Sequence, residues 1–266
     1  MVMSFINVEK KDSGICYLTL NRPEIHNAFD EILINELTTF FNDVSRDDSV
    51  SAVVMSGAGK SFCAGADLNW MKKMVSYSMD ENLADSKNLA GMLSSMNNCQ
   101  KPVIGLIDGA TMGGGVGLAS CFDFAVATTR SFFALSEVKL GILPAVISPF
   151  VISKIGESQA RRFFISGERF SAQKAKEIGL VHEVAETAEQ AESMIEEYVK
   201  QVMSSAPTAR VLAKKLVSTI SHELSTDQQK IDYACELIAS VRVSDEGQEG
   251  MSALLEKRKP SWVQGK

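Results

Sequence analysis

Two stretches decide how this chain folds: Ser61-Phe-Cys-Ala-Gly-Ala-Asp-Leu68 and Ile107-Asp-Gly-Ala-Thr-Met-Gly-Gly-Gly115. Each follows a β-forming run, residues 51–55 (SAVVM) and 103–107 (VIGLI), and each leads towards a helix. A glycine-rich turn at such a junction lets backbone approach a ligand and aims N–H groups at an anion. Taken alone, the 109–117 cluster reads equally well as a flexible turn or a close strand–helix contact. The turn at 64–67 is of a common kind. Together the two turns can supply two backbone donors to one oxygen, the arrangement that an oxyanion requires.

The same alternation extends outward. Residues 16–21 and 124–127 read as further strands, and Asn27 as the cap of a helix carrying Leu33, Leu37, Phe40, Phe41 and Val44 at helical spacing. Helices are expected at 67–75 and 83–98, with a polar, mobile segment at 76–82 between them. Strands alternating with helices indicate a mainly parallel α/β layer. Near residue 200 the texture changes. Helical patterns then follow one another from Pro207, around 231–241 and over 246–256, with no strand between them. The expected division is therefore a core over 1–200 and a helical unit over 201–266.

The 266 residues carry a net charge of −6 and no long basic run, so no nucleic-acid partner is expected. The short cluster Lys257, Arg258 and Lys259 is enough to meet one phosphate group. Five scattered cysteines without paired spacing point to reduced thiols and a cytoplasmic setting. No apolar run is long enough for a membrane span. Gly57-Ala-Gly-Lys-Ser61 imitates the tail of a phosphate-binding loop, but position 54 is valine where that motif needs glycine. The 109–117 cluster does not fit the dinucleotide fingerprint, since position 118 is leucine. His26, His182 and His222 show no metal spacing, and no serine-nucleophile elbow occurs.

Glu137 stands in an otherwise apolar stretch, Leu135-Ser-Glu-Val-Lys-Leu-Gly141. It is either a solvent-facing residue of an amphipathic turn or a buried carboxylate. Burial without a cation would raise its pKa and suit it to proton transfer.

The two glycine motifs in tandem resemble the signature of the crotonase (enoyl-CoA hydratase/isomerase) superfamily. Leu20-Asn-Arg-Pro-Glu-Ile-His-Asn-Ala28, Ala175-Lys-Glu-Ile-Gly-Leu-Val181 and Leu255-Glu-Lys-Arg-Lys-Pro260 are similar to it as well. The resemblance spans the whole chain. It implies a spiral of ββα turns, C-terminal helices that build a homotrimer or a dimer of trimers, and an acyl-CoA thioester as substrate, with no separate cofactor or metal. It implies that Ala66 and Gly114 donate the oxyanion-hole N–H groups and that Glu137 is the catalytic carboxylate. It also implies substrate or coenzyme contacts at His26, Ala28, Ala64, Asp67, Leu68, Gly115, Gly117 and Pro144. Lys257 would reach a coenzyme phosphate across a subunit boundary.

Departures from the pattern shape the expected chemistry. Gly117 holds the position where two-glutamate hydratases place their other glutamate, Ile25 and His26 replace common basic residues, and Pro144-Ala-Val-Ile-Ser-Pro149 replaces a glycine-rich segment. One carboxyl can take and return water's proton, or shuttle a proton between C2 and C4. The resemblance is nearest to bacterial 3-methylglutaconyl-CoA hydratases, so hydration of a branched enoyl-CoA is the expected reaction. Δ3,Δ2-enoyl-CoA isomerisation and non-catalytic acyl-CoA binding are the alternatives.

Overall fold

The computed structural model describes residues 4–263. The apolar run at 103–107 is the central strand β5 (Val103–Ile107). It lies parallel to β3 (Ala52–Gly57) on one side and to β7 (Phe124–Thr128) on the other. Such a strand has both faces covered, which explains its unbroken hydrophobic reading. Beyond β3 come β2 (Ile15–Leu20) and the antiparallel edge β1 (Ile6–Lys10); beyond β7 comes β10 (Glu183–Ala185). The expected strands thus form, with boundaries moved by one or two residues.

A second, smaller sheet was not expected. It holds β4 (Ser61–Cys63), β6 (Ala110–Met112) and β8 (Phe132–Ala134) in parallel, closed by the antiparallel β9 (Arg169–Ser171). Each turn of chain gives one strand to each sheet and then a helix. After β3 and β4 come α2 (Leu68–Met74) and α3 (Met79–Asn97), after β5 and β6 comes α4 (Gly114–Ser120), and after β7 and β8 comes α5 (Ser148–Ser166). This is the ββα spiral that the glycine motifs implied. The short α6 (Ala172–Glu177) and the long α7 (Ala188–Ser204) follow.

The first helix, α1 (Glu31–Arg46), buries Leu33, Leu37, Phe41 and Val44, as its periodicity required. Its cap is Asp30, whose carboxylate accepts from the N–H groups of Ile32 and Leu33. Asn27, expected in that role, does something else. It is fully buried with φ at 55°, and its side-chain amide donates to the carbonyls of Ala58, Ser61 and Phe62 at 2.9, 2.8 and 3.2 Å. Its Oδ1 accepts from the Arg22 N–H at 2.9 Å. A short polar side chain that tolerates the left-handed region fits a turn better than a cap here.

Segment 76–82, expected to be mobile, contains an ordered helix start. Ser78 caps α3, and Glu81 closes a reciprocal capping box. At the C-terminal end, α7 runs through residue 200, and the chain turns between Ser204 and Pro207 into α8 (Pro207–Ser218), α9 (Asp227–Val243) and α10 (Asp245–Leu255). Within one chain α8 and α9 bury no residue and α10 buries only Ala253, while Val217, Val243, Leu254 and Leu255 stand exposed. Among the described residues, no helix is long and apolar enough to cross a membrane.

Because Asn27 satisfies three loop carbonyls and one N–H inside the protein, Asn27→Ala strands buried polar groups and places a Cβ-bearing residue without a compensating side chain at positive φ. Stability should fall by about 2–4 kcal/mol. Urea unfolding with an unchanged m-value checks this, and a loss below about 0.5 kcal/mol would contradict the role.

Candidate active site

The three parallel strands of the small sheet end side by side. Ala66 lies three residues past β4, Gly114 two past β6 and Glu137 three past β8. Ligand sites of parallel sheets form beyond the carboxyl ends of their strands, and here all three residues line one cavity of about 240 Å³.

The orientation of Ala66 follows from an isolated parallel bridge between Phe29 and Ala66. Phe29 N–H donates to the Gly65 carbonyl and Asp67 N–H to the Phe29 carbonyl, both at 2.7 Å. Successive peptide groups of an extended segment point to opposite sides. Residues flanking the bridge therefore bond to Phe29 and leave the Ala66 N–H turned away from it, with no acceptor among the described residues. Gly65 makes the turn possible, with φ at 94°.

Gly114 is the first residue of α4, where helical N–H groups have no partner within the helix. Just before it, Gly113 donates to the Ala134 carbonyl at 2.9 Å, holding the ends of β6 and β8 together. Gly113 has φ at 50° and ψ at −116°, and a Cβ placed on it would come within 3.1 Å of Glu137 Oε1. The carboxylate thus sits against the backbone that presents the Gly114 N–H. A Cβ on Gly114 would collide with the Phe29 ring at 2.5 Å.

Glu137 lies on a 3-10 turn, Ser136–Leu140, and is half-buried. Its Oε2 is buried without a hydrogen-bond partner. Burial raises its pKa, opposed in part by a bond from its own backbone N–H. An orphaned carboxylate oxygen in a cavity is an expensive arrangement for stability. It is also an arrangement found at groups that exchange a proton with a bound molecule, which makes Glu137 the candidate for that role.

Other expected site residues fall into separate groups. Pro144 lines the cavity. Ala64 is half-buried and donates its N–H to the His26 carbonyl at 3.0 Å; His26 and Leu68 are exposed, and His26 Nδ1 lies 3.0 Å from Ser61 Oγ. Ala28 is buried, and its carbonyl accepts from Arg22 at 2.7 Å. Asp67 is committed elsewhere: it caps α2 through the N–H groups of Asn69 and Trp70 and pairs with Arg22 at 3.1 Å. Gly115 and Gly117 are buried and do not line the cavity. A Cβ at 115 would meet the Cys63 carbonyl oxygen at 2.4 Å, and one at 117 would meet Ile147 Cγ2 at 2.6 Å. Ile147 therefore fills the place in front of Gly117. Lys257 is exposed, with φ at 55°, and does not line the cavity of its own chain. Neighbouring Arg258 is bound bidentately by Glu249 at 2.7 Å.

Sequence reasoning missed Phe29, Trp70 and Asp85, all of which line the cavity. Trp70 Nε1 donates to Asp85 Oδ1 at 3.1 Å, fastening α2 to α3. The spacing of Asn82, Asp85, Ser86 and Leu89 puts them on one face of a helix, which was the available signal.

Comparison with known proteins agrees with this fold. The family model described as enoyl-CoA hydratase/isomerase matches residues 10–265. An enoyl-CoA hydratase of Alternaria alternata is 35% identical over 206 residues, 77% of this chain and 67% of that protein. The peroxisomal Delta(3,5)-Delta(2,4)-dienoyl-CoA isomerase of Arabidopsis thaliana is 29% identical, over 95% of this chain and 94% of its own length. The crystal structure of an enoyl-CoA hydratase from Shewanella pealeana superimposes with a TM-score of 0.92 at 38% identity, covering 97% of this chain and 96% of that one. The chain belongs to the enoyl-CoA hydratase/isomerase, or crotonase, family.

Proposed function

We propose that this enzyme adds water across the double bond of a 2-enoyl-CoA thioester, with Glu137 as the sole acid–base group. The carrying observation is the buried, unpartnered Oε2 of Glu137 on the same cavity as Ala66 and Gly114. As a carboxylate, Glu137 takes a proton from water while the oxygen bonds to C3. The electron pair of the double bond moves to the thioester oxygen, which the N–H groups of Ala66 and Gly114 hold as an enolate. Glu137, now a carboxylic acid, returns the proton to C2, and the enolate collapses to the 3-hydroxyacyl thioester. The other carboxylate on the cavity, Asp85, already accepts from Trp70.

The acyl chain in this reading is uncharged and accommodates a branch. Among the described residues no Lys, Arg or His lines the cavity of one chain. The second carboxylate of a 3-methylglutaconyl group would therefore enter without a counter-ion from its own chain, which favours an uncharged branch over that form of the expectation. One observation favours a second reaction. Ile147 packed over Gly117 leaves no room for a second glutamate, and a single carboxylate beside an enolate also serves Δ3,Δ2 isomerisation.

The exposed apolar residues of α8, α9 and α10 support a homotrimer, or a dimer of trimers, in which other copies cover them. Lys257 then faces the coenzyme of a neighbouring subunit. Sedimentation should give a trimer or a multiple of it, and a stable monomer at micromolar concentration would end this reading.

Glu137→Gln should cut hydration of crotonyl-CoA, followed by loss of conjugated-thioester absorbance, by about 10³–10⁴-fold. Binding of a saturated acyl-CoA should change little. The base must be ionised, and its pKa is raised, so activity is lost as pH falls through a value above the ordinary glutamate pKa of about 4.3. A near-normal rate in Glu137→Gln would exclude Glu137 as the base. Migration of a 3,4-double bond without water addition by the wild type would select isomerisation.

A further inference from the structure

One face of α3 brings Asn82, Asp85, Ser86 and Leu89 onto the cavity that holds Glu137. Most of the remaining wall is apolar, contributed by Trp70, Met74 and the residues from Leu140 to Ile147. A carboxylate in such a wall needs an explanation, because a neutral residue would fasten Trp70 equally well. Asp85 is half-buried, and no Lys, Arg or His forms an ion pair with it among the described residues. Its one side-chain hydrogen bond among the described residues is from the neutral indole N–H of Trp70 to Oδ1, which leaves Oδ2 without a partner, although Asp85 also borders a second cavity with Glu31 and Lys87. The charge that it senses most is another carboxylate, Glu31, itself paired with Lys73 at 2.9 Å. Burial raises the Asp85 pKa, with the Trp70 bond opposing. The carboxylate is held at the wall without a cation to neutralise it.

A negative charge there acts on whatever chain the cavity encloses. A second carboxylate is repelled across a short, poorly screened distance. A methyl terminus is indifferent to the charge, and a hydroxyl can donate to Oδ2. We propose that Asp85 is the specificity-determining residue for the acyl chain: it excludes thioesters whose acyl group ends in a carboxylate and admits those ending in methyl or hydroxyl. The inference rests on the acyl-CoA reading above but not on whether water is added. It assigns Asp85 no part in proton transfer.

The test is binding of three saturated thioesters of equal chain length to the full-length protein by titration calorimetry at neutral pH: pentanoyl-CoA, 5-hydroxypentanoyl-CoA and glutaryl-CoA. Wild type should bind glutaryl-CoA about 10- to 100-fold more weakly than pentanoyl-CoA, the scale of two like charges in a partly screened cavity. In Asp85→Asn the side-chain carbonyl still accepts from Trp70, so the fold and pentanoyl-CoA affinity should persist, and the gap should narrow by about 10-fold as the Asp85 share of the repulsion is removed, the Glu137 share remaining. Wild type binding glutaryl-CoA as tightly as pentanoyl-CoA would overturn the inference. So would a gap unchanged in Asp85→Asn, or equal weakening of all three ligands, which is the mark of a purely structural Asp85. If none of the three binds the wild type, the acyl-CoA reading fails, and the inference with it. A missing gap alone overturns the inference only.

Discussion

A buried guanidinium holds the catalytic loops in place. Arg22 donates to the Ala28 carbonyl at 2.7 Å and pairs with Asp30 at 2.9 Å and Asp67 at 3.1 Å, while its cationic face lies 4.2 Å from the centre of the Phe5 ring. Those partners belong to the cap of α1, the cap of α2 and the turn just before α1. Fixing all three positions Phe29 against residues 65–67, and that bridge turns the Ala66 N–H toward the cavity. Removing one partner from a buried pair typically costs about 3–5 kcal/mol, whereas exposed pairs are worth about 1 kcal/mol or less. On that scale the Arg22 cluster outweighs surface pairs such as Arg161 with Glu157, whose side chains are 72% and 79% exposed. The backbone at Ala66 is thus held by side chains that do not themselves line the cavity.

Glu137 shows the opposite economy. No group among the described residues satisfies its Oε2, and desolvation raises its pKa. The surrounding packing tolerates this because Gly113 has no side chain to crowd Oε1, and because Ile147 rather than a second carboxylate occupies the space before Gly117. Two neighbouring carboxylates would shift each other's ionisation. With Glu137 as the one acid–base group proposed above, the site would have a single proton to move, and its chemistry would depend on the acyl chain: addition of water at C3, or removal of a hydrogen at C4.

The sequence made some of this legible and hid the rest for physical reasons. The apolar runs behind β3, β5 and β7 are long enough to register, and the glycine turns mark where the backbone must bend or pack closely. Strands β4, β6 and β8 have three residues each, too few for alternation to be seen, although they aim the whole site. Asn27 and Asp30 are both plausible caps in sequence. Only the left-handed φ of Asn27 and its buried partners separate the loop hub from the cap. Gly117 is visible in the sequence as a position without a carboxylate, but the residue filling its place, Ile147, is remote in sequence. Asp85 gave no signal alone, since one acidic residue on a polar helix is ordinary until the fold turns that face inward.

The donors and the carboxylate also differ in how they respond to substitution. In the proposed oxyanion hole Ala66 and Gly114 act through main-chain N–H groups, so that hole would depend on backbone path rather than on side-chain identity. The path is over-determined by the Arg22 cluster, the Asn27 amide and the Gly113–Ala134 bond. The cavity walls are not constrained in that way. The α3 face and the segment from Leu140 to Ile147 meet the acyl chain with side chains alone, and Leu140, Ile142 and Leu143 remain exposed in one chain. Volume and charge can therefore change there without disturbing the hole. In the proposed mechanism, enolate stabilisation belongs to the fold, while the choice of acyl chain, and with it the fate of the enolate, belongs to those two walls.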